Sequence, residues 1–295
     1  MSGPSALAVH AQQRHTVDVS ELDRFEQPRE RGWERRPYPS HRGFVVGSLR
    51  AGRRGFPVHG LLELDVTDAV AALDSRPEPL SFTAFVVAAT ARAVAAHPEV
   101  HAYRDWRGRL VVARHVDVAT LVEVADQGTT FPLAHLIRDA DVRPVRDLSA
   151  ELRNVQADIA RSDSGRLLRR GTAWVGRIPG LATLLFSVAK RSPRLRERSG
   201  TVTVTSVGMF GKTGGTGIGQ ATIMTLSVLV GGRSMRPRVV EGQITARLVL
   251  DLTISVDHAI VDGAPAARFA ATLTDLIEHP TWFDDSNPAC SRHFC

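Results

Sequence analysis

The chain has 295 residues, a formal net charge of +6, 43% hydrophobic residues and 23% charged residues. That length supplies one large domain or two small ones with a full core, and the composition is that of an ordinary soluble globular protein. No apolar run approaches the ~18 residues that span a bilayer, and the N-terminus lacks the apolar core of a signal peptide, so the expected location is the cytoplasm.

Cysteine occurs twice, at Cys290 and Cys295, which excludes a disulfide framework. Cys290, His293 and Cys295 offer three metal ligands without a fourth, in a polar tail, and no metal is expected there. Of the 37 Lys and Arg residues only Lys190 and Lys212 are lysine. Basic clusters at 29–36, 50–54, 166–170 and 191–198 are read as solvated faces. Phosphates, acidic carrier proteins and nucleic acid are the other partners such charge would suit, but no nucleic-acid module accompanies it.

Residues 1–42 are polar, rich in Arg, Pro and His, and without periodicity, which predicts a flexible N-terminal arm. A strand is predicted over Leu61–Val66, leading through Thr67 as an N-cap into a short helix to Leu73. Ser81 then caps a stronger helix with Phe82, Phe85, Val86, Ala89, Ala93 and Ala96 on one face, ended by Pro98. His97 and His101 are four apart, yet Pro98 between them prevents the single helix that would aim both at a metal. A turn at Asp105–Gly108 joins two strands, Leu110–Ala113 and Val116–Val124 read as β-type runs, and Leu148–Ile159 reads as a helix.

Trp174, Val175, Ile178, Leu181, Leu184, Leu185 and Val188, flanked by arginines, form an amphipathic helical pattern. Packing on its own protein is the expected use of that face; a membrane surface, a partner helix or a wall over the active site are the alternatives. Thr201–Thr205 alternates as a strand and ends in hydroxyls. Downstream, Gly208–Thr213 has two residues between its glycines where a phosphate-binding loop needs four, and Gly215–Gly219 misses the dinucleotide spacing by one, which excludes ATP and NAD loops.

The stretch from Leu248 to Pro280 organises the rest. Leu248, Leu250, Leu252, Ile254 and Val256 alternate with Val249, Asp251, Thr253 and Ser255, a strand with one greasy face. Asp257-His258-Ala259-Ile260-Val261-Asp262-Gly263 follows, and from Ala264 the spacing turns helical as far as Pro280. His258 continues the parity of the apolar face, so its ring is expected to point into the protein or a cleft. It is a candidate general base near neutral pH. The alternative is a satisfied core histidine, with Asp262 capping the next helix.

His258-Ala-Ile-Val-Asp262-Gly263 resembles the His-Arg-x-x-Asp-Gly signature of the catalytic domain of dihydrolipoyl acyltransferases, the core of 2-oxo acid dehydrogenase complexes. It is also similar to the His-x-x-x-Asp-Gly of chloramphenicol acetyltransferase. Phe56–His59, Leu64–Thr67, Ser81–Phe85, His97–Glu99, Leu136–Asp141 and Gly200–Gly211 follow in the family's order, over roughly residues 43–280. The resemblance implies an α/β, chloramphenicol acetyltransferase-like two-layer sandwich, a mixed sheet flanked by helices, over residues 43–284. A helical insert at 166–198 is extra to the dehydrogenase-complex enzymes, and 285–295 is a C-terminal tail.

The implied chemistry is direct transfer from acyl-CoA, acetyl-CoA in the simplest case. His258 takes the acceptor's proton, and Thr205, matching a family serine, donates to the oxyanion, with Ser206 as the fallback donor. Asp262 holds the loop and the histidine. The active site is expected between subunits of a homotrimer, the histidine from one chain and the hydroxyl from the next. The arginine that follows the histidine in the dehydrogenase enzymes is Ala259 here. No lipoyl-lysine context is present, which predicts a catalytic core standing alone with no attached lipoyl group. The favoured reading is therefore transfer to a small-molecule hydroxyl, in secondary metabolism of the tetronate type. The alternatives are a dihydrolipoyl acyltransferase serving a lipoyl group on another protein, and a non-catalytic scaffold.

Overall fold

The computed structural model describes residues 32–35, 42–53, 55–78, 80–126, 129–158, 161–162, 178, 180–207, 214–220 and 222–283. The chain divides into Met1–Tyr38 and Pro39–Cys295, and the fold that follows is that of the second unit. Most of the expected N-terminal arm, the first part of the insert and the whole 285–295 tail lie outside the described residues.

A six-stranded mixed sheet forms the centre, in the order β1 (Pro57–Asp65), β8 (Gln243–Asp257), β7 (Leu226–Val240), β6 (Val202–Ser206), β4 (Val118–Asp126), β5 (Thr129–Ile137). Strands β4, β6 and β7 run parallel, and the remaining pairs are antiparallel. A separate pair, β2 (Tyr103–Arg104) and β3 (Leu110–Val111), flanks the turn expected at Asp105–Gly108. The Asp105 carboxylate accepts from the backbone N–H groups of Arg107 and Arg109 and fixes that turn.

Helices α2 (Thr67–Asp74), α3 (Phe82–Ala96), α4 (Val145–Ala157) and α7 (Gly263–Glu278) contribute to one hydrophobic core with the sheet. Ser81 caps α3 as expected, its hydroxyl accepting from Ala84 N–H at 3.3 Å. Phe85 on α3 is fully buried, stacks on Trp282 at 5.5 Å between ring centroids and meets Phe283 edge-on. The expected Thr67 cap shifts by one residue: Val66 occupies the cap position, and the Thr67 hydroxyl instead donates to Asp65 at 2.7 Å and accepts from Leu248 N–H.

The expectation of a single greasy face on β8 is wrong. Leu250, Leu252, Ile254 and Val256 face the helices, but Val249, Asp251 and Thr253 of the alternate set are buried too. The cover on this second side includes a glycine-rich strap, residues 214–220. Asp251 accepts from Gly215 N–H at 2.7 Å, and the Thr253 hydroxyl donates to Gly217 O at 2.7 Å. The strap lies so close that a Cβ on Gly232 would sit 2.9 Å from Gly214 Cα, and one on Gly231 would sit 2.6 Å from Gly215 O. Those two glycines coincide with the register shift between Val230 and Arg233 of β7.

Past Arg233, β7 and β8 continue as a two-stranded ribbon beyond the paired reach of β6 and β1, closed by Glu241 and Gly242, both with positive φ (50° and 79°). Pro237 is tolerated there because no strand pairs on its other side. Ionic staples hold the base of the ribbon: Arg236 bridges Glu63 and Asp251, and Arg247 reaches Asp65 at 2.6 Å and Asp68 at 2.8 Å.

Helix α5 (Leu181–Ala189) is the described part of the insert, followed by the short α6 (Pro193–Arg196). It packs on α1 (Arg42–Gly52), where a Cβ on Gly47 would lie 2.6 Å from Ala182 Cβ. The described part of the insert therefore packs on its own protein, while Leu184 and Leu185 remain exposed. Among the described residues no helix is long and apolar enough to cross a membrane.

Two outcomes test this packing. Gly232→Ala forces backbone against backbone and should destabilise the chain by about 1–3 kcal/mol in urea unfolding. Burial raises the Asp65 pKa, but bonds to Arg247 and Thr67 outweigh it and hold the group below its ordinary 3.8. Its contribution is therefore present above that range and lost as pH falls through the lowered folded value. Asp65→Asn should lower stability at neutral pH and flatten its dependence on pH below about 4.

Candidate active site

Strand β8 delivers His258 to the sheet's end. His258 N–H donates to Phe56 O at 2.8 Å, and a turn follows in which Ile260 and Val261 N–H both return to Asp257 O. Because the chain turns at His258, the parity of β8 does not carry over. Its side chain is 49% exposed in the single chain, so of the two expected directions, interior or cleft, it does not take the interior one. Asp262 occupies the N-cap position of α7 without a side-chain cap bond. Its carboxylate lies 3.8 Å from His258 Nδ1 and is 87% exposed. That is an ion-pair distance and too long for an orienting hydrogen bond.

The carboxylate that fixes the turn is Asp257, which the sequence reading passed over. Its Oδ1 accepts from Phe56 N–H at 3.1 Å and from Ala259 N–H at 3.2 Å, tying the start of β1 to both sides of the histidine. Its own N–H donates to Thr225 O at 2.9 Å, and the Thr225 hydroxyl in turn bonds Ala102 O. The signal was a carboxylate directly before the histidine at a strand end. Lys190, the C-cap residue of α5, brings its ammonium to 3.9 Å from Asp257 Oδ2. Burial draws the Lys190 pKa down against the opposing pull of Asp257.

Two further polar groups are buried: His101, noted above for its spacing from His97, and Arg196, which at 3% exposure corrects the reading of the 191–198 cluster as a solvated face. Arg196 donates to Ile223 O at 2.8 Å and lies over the Tyr103 ring, and burial pushes its pKa down to about 10. His101 is 2% exposed, and burial with the Arg196 charge pushes its pKa down to about 4, so the ring is neutral.

Thr205 and Ser206 close β6, both half-buried. Thr205 aligns with Leu229 of β7, which aligns with Thr253 of β8, five residues short of His258. Two strand spacings across and five residues along place Thr205 roughly 19 Å from His258. The structure thus brings His258 and Asp262 together and sets Thr205 and Ser206 at the opposite end of β6, beside the 214–220 strap.

A second cluster has the composition of a hydrolase relay. His135 Nδ1 is 3.3 Å from the Ser162 hydroxyl, and its Nε2 is 2.7 Å from Glu151, which also binds Arg143. Ser162 is 1% exposed, so no substrate reaches it, and the arrangement pins α4 to the edge strand β5. An open groove of about 530 Å³ lined by His135, Arg143, Glu151 and Arg161 adjoins it, four strands away from β8. Among the described residues no group of three or more His, Cys, Asp or Glu is placed to hold a metal ion.

Residues 190–283, which carry β6, the strap, the ribbon and the His258 turn, match the family model of the 2-oxoacid dehydrogenases acyltransferase catalytic domain. This segment is similar to that catalytic domain. The acetyltransferase component of the pyruvate dehydrogenase complex of Rickettsia bellii is 26% identical over 213 residues, 70% of this chain and 41% of that protein. The lipoamide acyltransferase component of the branched-chain alpha-keto acid dehydrogenase complex of Pseudomonas putida is 28% identical over 236 residues, 74% and 46% respectively. The chain spans about half the length or less of these curated relatives.

Among solved structures, the dihydrolipoamide acetyltransferase of Azotobacter vinelandii superposes with a TM-score of 0.62 at 21% identity, covering 84% of this chain and 93% of that one. The truncated catalytic core of the 2-oxoacid dehydrogenase complex of Thermoplasma acidophilum gives 0.60 at 20%, covering 85% and 100%. The acyltransferase-core fold, with its mixed sheet and flanking helices, is therefore as expected. The Azotobacter study concerns a serine, a histidine and an asparagine four residues beyond the histidine in that enzyme's catalytic mechanism.

Ser162→Ala separates the buried relay from the His258 turn. It should cost about 1 kcal/mol in thermal unfolding by leaving a buried ring nitrogen without its partner, and leave acyl transfer unchanged.

Proposed function

We propose that this chain is an acyl-CoA-dependent acyltransferase whose acceptor is a dihydrolipoyl thiol, with each active site completed by two copies of the chain in a homotrimer. The observation that carries it is the separation within one chain. A half-exposed histidine stands at one end of β6, and a threonine hydroxyl on a strand end at the other, too far apart to share one carbonyl.

In the proposed step, His258 of one copy takes the proton from the acceptor thiol as its sulfur attacks the thioester carbonyl. The hydroxyl of Thr205 from the next copy donates to the oxyanion, a contact worth on the order of 3 kcal/mol of barrier. The carbon–sulfur bond to CoA then breaks, and the imidazolium returns its proton to the CoA thiolate. Asp257 holds the backbone on which the imidazole is mounted, and Asp262 adds a nearby negative charge that favours the imidazolium formed in the step.

The names of the relatives, dihydrolipoyllysine acetyl- and succinyltransferases and lipoamide acyltransferases, favour a thiol acceptor. They give no support to the small-molecule hydroxyl of tetronate-type metabolism that the sequence reading ranked first. The serine, histidine and asparagine of the Azotobacter enzyme support the assignment of Thr205, His258 and Asp262.

Transfer to a hydroxyl releases a free thiol, whereas transfer to dihydrolipoamide leaves the total thiol unchanged. The assay therefore separates acetyl-CoA from CoA by chromatography with dihydrolipoamide or a panel of alcohols as acceptor. Turnover with dihydrolipoamide is expected, and turnover with alcohols alone would overturn the reading. His258→Ala should lower the rate at least about a hundredfold. Mixing His258→Ala with Thr205→Ala subunits after dissociation and reassembly should restore activity, because some sites then receive both intact side chains. No recovery in mixed trimers would remove the shared site.

A further inference from the structure

The His258 turn carries its own electrostatic problem. Between Asp257 and Gly263 the sequence supplies two carboxylates, Asp257 and Asp262, and no lysine or arginine. Asp262 is open to solvent, but the Asp257 side chain is only 15% exposed and its Oδ1 is committed to two backbone N–H groups. A half-enclosed carboxylate needs a cation or further donors to remain ionised in place.

The ammonium that reaches it comes from a different element. Lys190 is one of two lysines in a chain with 37 Lys and Arg residues, and its side chain is 28% exposed at 3.9 Å from Asp257 Oδ2. Its mount is firm. Lys190 N–H bonds Phe186 O at 2.8 Å at the C-terminal end of α5, where the helix dipole favours a cation. Helix α5 is itself locked to α1 through the Gly47–Ala182 approach. The other charged groups acting on Lys190 are Arg191 and Arg196, both repulsive. Asp257 is thus the favourable ionic partner that keeps the ammonium at this spot.

We propose that Lys190 is a positioning residue of the acyltransferase site: from the helical insert it holds Asp257, and through Asp257 the backbone turn that carries His258. The insert is then part of the catalytic apparatus, acting on the histidine's orientation and charge without touching substrate. This rests on His258 being the general base. The charged side chain facing that imidazole is Asp262 at 3.8 Å, while Asp257, the preceding residue, holds the backbone and has Lys190 at 3.9 Å from its carboxylate. Removing the ammonium leaves the Asp257 carboxylate without its cation one residue before the histidine. The imidazolium is then favoured, and the His258 titration moves upward.

The test uses the full chain and two readouts. Histidine side chains are labelled for NMR, and the His258 resonance is identified by its loss in His258→Ala. In Lys190→Met, and in Lys190→Gln should the first fail to fold, the His258 pKa should rise by about half a unit, the scale of one charge at this range in a high dielectric. Lys190→Arg, which keeps the charge, should return it to the wild-type value. In an Asp257→Asn background, Lys190→Met should produce no further rise. The kcat for acyl transfer should fall about tenfold, with KM for acyl-CoA within about twofold, as expected for a displaced catalytic group. A merely structural lysine would lower the melting temperature and leave the His258 titration superimposed on wild type, and that result overturns the proposal. If the wild type transfers no acyl group, the acyltransferase reading fails while the titration still decides the role of Lys190.

Discussion

The Asp257 carboxylate is the constraint on which the site depends. It sits where a strand buried on both faces runs out of partners, and there it accepts from one N–H before β1 and one after the histidine. Without those bonds, Phe56 and Ala259 would each leave a backbone donor without a protein partner, and the chain would have no reason to turn just where His258 emerges. The sheet supplies a rigid origin, and the carboxylate converts it into a fixed direction for the backbone that carries the imidazole.

That rigidity comes from an uncommon use of glycine. Strand β8 is shielded on its second face in part by a strap whose backbone rests on the backbone of β7, with Asp251 and Thr253 turned toward it as hydrogen-bonding groups. The strap also runs beside Thr205, so the hydroxyl end and the histidine end of the site are referenced to the same strand pair, β7 and β8. Residues 205 and 258, roughly 19 Å apart in one chain, are thereby held in a fixed relation.

Much of this could be read from residues alone. The alternation from Leu248 to Val256, the Asp-His and Asp-Gly pairs and the helical spacing after Ala264 located the turn to within a residue, since each signal is local. No element was expected over β7 or α1; Gly231, Gly232 and Pro237 are tolerated in β7 because of the strap and the open edge of the ribbon, and Gly47 lets α5 approach α1. The interior direction allowed for His258 fails because strand parity stops applying once a turn begins. The roles of Asp257 and Lys190 depend on contacts across 201 and 67 positions of sequence, from Phe56 N–H and from Lys190 to Asp257, and no periodicity encodes such a contact.

The ribbon beyond Arg233 has a consequence for how the molecule keeps to itself. Beyond the reach of β1 and β6 its outer edges have no strand partner among the described residues, and Met235, Val239 and Ile244 are 59%, 73% and 78% exposed. Such a strip is a template for unwanted strand addition by other chains. Pro237 removes one donor from the edge of β7, and Arg236, Arg238 and Arg247, each paired with a carboxylate, line the base of the ribbon. The ion pairs that staple the base thereby also act as gatekeepers, since a strand added along that edge would have to displace or bury them.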